Sequence, residues 1–108
     1  MPKRMMTQLP YDQFRALQER NTLVPVISRF YGILIAMYFN DHNPPHFHAR
    51  YSEYEALFDF EGSIIEGEFP GRAVKFVEEW IGLHHAELED NWQRARTGQP
   101  LNYIVPLE

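Results

Sequence analysis

A chain of 108 residues, 44% apolar and 15% aromatic, has room for one domain core and is too rich in aromatics for a disordered segment. Ten Lys and Arg against fifteen Asp and Glu leave a net charge of -5, which argues against a general polyanion binder. Cysteine is absent, which excludes disulfides, thiolate catalysis and Cys-based zinc sites, and no apolar run approaches the roughly 20 residues of a membrane helix.

A cytoplasmic protein without membrane association is therefore the expectation. Residues 1–24 read as an N-terminal extension, followed by a single α+β domain over residues 25–108. Within the extension, Pro10 suits a first helical turn, and Tyr11, Phe14 and Leu17 recur at helical spacing up to Arg20. A helix this short is marginal alone and needs a surface on its own domain or on a second copy, so a homodimer is one expectation. Beyond it, β-branched and aromatic residues broken by turn signals predict strands at Val24–Tyr31, Ile33–Asn40, His46–Tyr51, Glu55–Phe60 and Ser63–Glu68. The short connections favour antiparallel neighbours, except at Asp41–Pro45, where Asn43-Pro44-Pro45 imposes extended backbone outside any ladder.

One long helix is predicted from Pro70 to Thr97, stopped by Gly98 and Pro100. Ala73, Val77, Trp80, Leu88 and Ala95 share one face, while Lys75, Glu78, Glu79, Gly82, His85, Glu89, Gln93 and Arg96 share the other. Leu101–Val105 is expected to return to the sheet as a last strand. The predicted architecture is α+β: a small antiparallel meander of four to five strands, one long C-terminal helix packed across a face, and the short N-terminal helix.

Two polar constellations stand out. Asp41, His42, His46 and His48 lie within eight residues, and His46 and His48 are two apart in a strand, so their imidazoles leave the same face. Such a pair can hold a divalent metal such as Zn²⁺ with His42 or Asp41 as a further ligand, or carry out acid–base chemistry. It can equally be a stiffened turn in which Asp41 and His42 cap and the other two imidazoles bond backbone. The second constellation is His84, Glu87 and Asn91, polar groups inside the apolar helix stripe. Unpaired burial would cost each about 1–3 kcal/mol, so either the sheet supplies partners, Arg29 being a natural one for Glu87, or the stripe borders a cleft. Normal patterning buries Phe47 and Tyr51 against the helix, which turns His46 and His48 away and keeps the two constellations apart. Arg29 and Arg50 are strand cations suited to a phosphate or to a structural ion pair.

The run Pro25-Val26-Ile27-Ser28-Arg29-Phe30-Tyr31-Gly32-Ile33, the pair Met37-Tyr38, and the segment Asp41-His42-Asn43-Pro44-Pro45-His46-Phe47-His48-Ala49 together resemble a bacterial domain-of-unknown-function family, numbered 4160. The helix residues Glu79-Trp80, Leu83-His84, Glu87-Leu88 and Asn91-Trp92 carry the same resemblance. It implies a small protein encoded beside a second small protein of the family numbered 2442, an arrangement like a toxin–antitoxin pair with this chain as the toxin. The resulting expectation is an effector held by an antitoxin-like cognate protein and acting on RNA or another translation component. Its candidate catalytic set is His46 and His48, with Asp41 and His42 orienting them, Arg29 (or Arg50) neutralising a phosphate, and Glu87 and Asn91 from the helix. Two further expectations stand beside it: a non-enzymatic protein-interaction module, and a small metal-binding protein using His42, His46 and His48.

Overall fold

Alternating side chains over residues 26–67 build a sheet with one strongly apolar face, and that face dictates where everything else packs. The structure is a computed structural model and describes residues 24–108. Five strands, β1 (Val26–Phe30), β2 (Ile33–Ala36), β3 (His46–Tyr51), β4 (Tyr54–Asp59) and β5 (Ile64–Gly67), pair antiparallel in chain order. The expected meander is thus formed, with all five strands; the short helix expected at Tyr11–Arg20 lies outside the described residues. Phe30, Ile33, Ile35, Phe47, Ala49, Ala56 and Phe58 are buried on one face of the sheet.

That face is covered by the long helix α1 (Gly71–Arg96), whose buried stripe is Ala73, Val77, Trp80, Ile81, Leu88, Asn91, Trp92 and Ala95. Trp80 is the centre of the contact, with its indole 5.4 Å from the Phe30 ring and 5.8 Å from Phe47. All eight residues expected on the opposite helix face are exposed. Pro70 stands just outside the first turn in extended backbone, which matches its lack of a donor. At the other end Arg94 and Arg96 occupy the last turn, where cations favour the helix dipole. A kink that the periodicity does not reveal falls at His84, with φ -129° and ψ 27°.

One expected strand is shortened and another does not form. β2 ends at Ala36 instead of Asn40 because the chain leaves the sheet to reach the end of α1. Asn40 adopts φ 56°, a conformation its short side chain tolerates, and donates its N–H to the Ala95 carbonyl at 3.2 Å. Residues 101–105 form no strand. A single ladder-type bond joins them to β1, from the Ile104 N–H to the Ile27 carbonyl at 2.7 Å.

Side chains complete the attachment. The Ser28 hydroxyl donates to the Ile104 carbonyl at 2.9 Å, and the Trp80 indole N–H donates to the Val105 carbonyl at 3.0 Å. Asn91 is fully buried and clamps Asn102, donating to its carbonyl and accepting from its N–H, both at 2.9 Å. Asn91→Ala is expected to lower stability by about 2–4 kcal/mol in urea unfolding, because it orphans both a donor and an acceptor. Asn91→Asp should not rescue it, since a carboxylate cannot donate.

Candidate metal centre

The site begins with the loop that leaves β2. Two contacts hold this loop on the C-terminal end of α1: the Asn40 N–H to the Ala95 carbonyl, and the Arg96 guanidinium donating to Asn43 Oδ1 at 3.1 Å. The Asn43–Pro44 peptide is cis. The two anchoring contacts place Asp41 against the first residues of β3, with Oδ1 accepting the His42 backbone N–H at 2.9 Å. Its other oxygen, Oδ2, lies 2.9 Å from His46 Nε2 and 3.4 Å from His48 Nε2.

The outward nitrogens of both imidazoles face acceptors. His46 Nδ1 donates to the Pro44 carbonyl at 2.8 Å, and His48 Nδ1 lies 3.8 Å from Glu55 Oε2. The carbonyl behind His46 can only accept, so the His46 ring carries its proton on Nδ1 when neutral and turns the Nε2 lone pair toward Asp41. A lone pair aimed at a carboxylate oxygen is repelled unless a positive charge intervenes. Protonating the imidazoles supplies that charge, and so does a bound cation.

The electrostatics follow from this geometry. The hydrogen bond to Asp41 raises the His46 pKa above 6.5, against the opposing effect of burial. For His48 burial is the largest influence and lowers its pKa, but Asp41 and Glu55 together outweigh it and the net shift is upward. Partial burial acts to raise the Asp41 pKa, yet the bonds from His46, His48 and the His42 N–H hold it well below the usual carboxylate range. The surroundings are aromatic: the Trp92 ring lies 5.5 Å from His46, and the Tyr38 and His48 rings meet edge to face at 4.7 Å. The His46 side chain is 1% exposed, whereas Asp41 and His48 reach solvent at 19% and 20%, so the cluster has one open side.

Asp41, His46 and His48 each offer one ligand atom, and these three atoms lie within 4.8 Å of one another. The third donor in this group is a carboxylate and not His42, whose side chain is 78% exposed with Nε2 3.7 Å from the opposite oxygen of Asp41. Glu55 and Trp92 are the participants that the sequence reading passes over. Glu55 had a usable signal: the two-residue turn after Tyr51 pairs Arg50 with Glu55 and His48 with Leu57, so Glu55 is diagonal to His48 on the same face. Trp92 had none beyond its place in the helix stripe.

The helix constellation sits elsewhere. His84 Nδ1 bonds Glu87 Oε1 at 2.5 Å, and its ring lies 5.8 Å from Trp80, while Asn91 is occupied with Asn102. Among the described residues no hydrogen bond, ion pair or ring contact joins His84, Glu87 or Asn91 to Asp41, His46 or His48. The separation follows position along the helix: the Asp–His–His group sits at its C-terminal end, where Trp92 meets His46, whereas His84 sits at Trp80 and Asn91 turns to Asn102. Arg29 is exposed on β1 and makes no ion pair with Glu87; Arg50 Nε lies 3.9 Å from Glu55 Oε1.

A five-stranded meander crossed by one long helix, with an Asp–His–His group beside the helix C-terminus, defines a small α+β protein with a candidate metal centre. Residues 32–93 match the family described as a domain of unknown function, DUF4160, and the chain belongs to that family. No curated protein and no solved structure matches the chain. No helix among the described residues is long and apolar enough to cross a membrane.

Proposed function

We propose that this protein binds a divalent transition-metal ion, with Zn²⁺ as the representative, through Asp41 Oδ2, His46 Nε2 and His48 Nε2. The observation that carries the reading is the convergence of two Nε2 atoms on one carboxylate oxygen, with His46 Nδ1 bonded to the Pro44 carbonyl and the Glu55 carboxylate 3.8 Å from His48 Nδ1. Acceptors behind Nδ1 are the usual outer support of metal-ligating histidines, because they fix the tautomer and raise ligand basicity. Tetrahedral zinc bonds of about 2.0–2.1 Å put neighbouring ligand atoms about 3.3 Å apart. The separations of 2.9 and 3.4 Å from Asp41 Oδ2 lie close to that value, and all three ligand atoms lie within 4.8 Å of one another. Three protein ligands and one side open to solvent match a centre that keeps a position for water or substrate. A metal-free acid–base pair fits less well, since it needs two nitrogens flanking a reacting group, and these two point at a single spot.

Protein purified without a histidine tag should take up one equivalent of Zn²⁺ or Co²⁺ at neutral pH, measured by elemental analysis and calorimetry. Asp41→Asn and His48→Ala, checked for folding by circular dichroism, should each weaken binding at least 100-fold. Wild-type protein that binds neither ion stoichiometrically would refute the proposal.

The finer role implied by the resemblance, a growth-inhibiting effector acting on RNA or translation and restrained by a cognate small protein, would run through this same centre. Expressing the chain with and without its neighbouring gene tests that role. Growth inhibition that survives in the His46→Ala, His48→Ala double variant would detach it from the centre.

A further inference from the structure

The end of the molecule opposite the metal centre carries a cavity of about 470 Å³, bounded by Tyr31, Tyr51, Pro70, Arg72, Ala73 and Phe76. Ile33 pairs with Tyr51 at this end of the sheet, whereas Ala36 pairs with His48 at the metal-centre end. The helix likewise opens here at Gly71 and closes at Arg96 beside Asn43. Nothing in the metal centre uses these residues. The volume is that of a small-molecule site.

Three aromatic rings form its walls. Tyr31 lies 4.9 Å from Phe76, and Tyr51 stands across the hairpin, where a Cβ on Gly32 would meet its ring at 3.4 Å. The placement of Tyr31 runs against local preference. It occupies the first central position of a two-residue hairpin turn at φ 53°, followed by Gly32 at φ 81°, a turn that favours Asn or Gly at that position. Burial does not compensate for this, since Tyr31 remains 49% exposed. A strained, half-exposed aromatic whose ring walls a cavity points to a use for that ring. Arg72 adds a guanidinium that forms no ion pair with any described carboxylate, although the chain as a whole is acidic.

We infer that this cavity binds a planar aromatic anion of the size of a free mononucleotide, with its ring against Tyr31, Phe76 and Tyr51 and its phosphate on Arg72. Aromatic walls select a flat ring without demanding a particular base. The guanidinium fork matches two phosphate oxygens and selects the charged form over the neutral one. Neither feature alone would distinguish a nucleotide from an arene or from inorganic phosphate; the cavity joins them.

The test is an NMR titration of the full chain with adenosine 5′-monophosphate, adenosine and inorganic phosphate in parallel. The nucleotide is expected to shift the ring signals of Tyr31, Tyr51 and Phe76 saturably, and to bind about tenfold more tightly than adenosine or phosphate. Arg72→Gln should reduce nucleotide affinity to that of adenosine. Tyr31→Asn relieves the turn, so its Tm should not fall below wild type while nucleotide binding is lost, which separates loss of the site from loss of the fold. The inference is overturned if the nucleotide gives no saturable shift, if adenosine binds equally well, or if either variant binds like wild type. Zn²⁺ uptake, measured separately, reports on the other end of the molecule and is expected to be unchanged in both variants.

Discussion

Zn²⁺ affinity at Asp41, His46 and His48 is expected to fall about 100-fold for each pH unit below the titration of the two histidines, because both imidazoles must lose a proton to bind. Asp41 adds nothing to that slope, since its carboxyl titrates far below this range. A slope of one proton would mean that only one histidine ligates. The metal-free protein should show the reverse trend. His46 and His48 have raised pKa values, so the stability they contribute is complete below their ordinary value of 6.5 and is lost as pH rises through the folded values. Asp41 has a depressed pKa, so its contribution is present above its ordinary value of 3.8 and is lost as pH falls toward the folded value. The triad therefore stabilises the metal-free chain most between about pH 4 and 6.5. Thermal melts from pH 6 to 8 should show Tm falling without Zn²⁺ and rising with it, and Asp41→Asn should remove most of that divergence.

Trp80→Ala is expected to cost about 3–5 kcal/mol, a large share of the roughly 5–15 kcal/mol that a domain of this size possesses. Trp80 is completely buried, contacts Phe30 and Phe47 on two strands, and donates to the Val105 carbonyl. Its loss opens a cavity between sheet and helix and also removes one of the hydrogen bonds that attach the C-terminal tail. Trp80→Phe keeps most of the ring volume and loses the hydrogen bond, so the difference between the two variants in urea unfolding separates packing from tail attachment. A Trp80→Ala loss below about 1 kcal/mol would contradict the central place of this residue in the core.

How far the site could be read in advance differs residue by residue. His46 and His48 share a face because strand side chains alternate, and this needs no knowledge of the rest of the chain. Asp41 is different. It meets the two imidazoles only because Asn40 and Asn43 are held by Ala95 and Arg96, more than fifty residues further along the chain. Without that anchoring, His42 is as plausible a third donor as Asp41. Asn91 shows the same limit from the other side. Its position in the apolar stripe marked it as needing a partner, but the partner is the backbone of Asn102 in a tail that periodicity read as a strand.

Periodicity and turn chemistry by themselves determined the α+β class, the order of the five strands, the buried helix stripe and the common face of His46 and His48. These properties depend on neighbours a few residues apart, and backbone geometry converts that spacing directly into direction. Tertiary structure alone decided that Asp41 completes the histidine pair, that Glu55 stands behind His48, and that His84 and Glu87 lie apart from them. It also decided that Tyr31, Tyr51, Arg72 and Phe76, taken from a hairpin turn, the end of a strand and the opening of a helix, bound one cavity. Contacts of this kind are set by how loops dock on distant elements, and no local period encodes them.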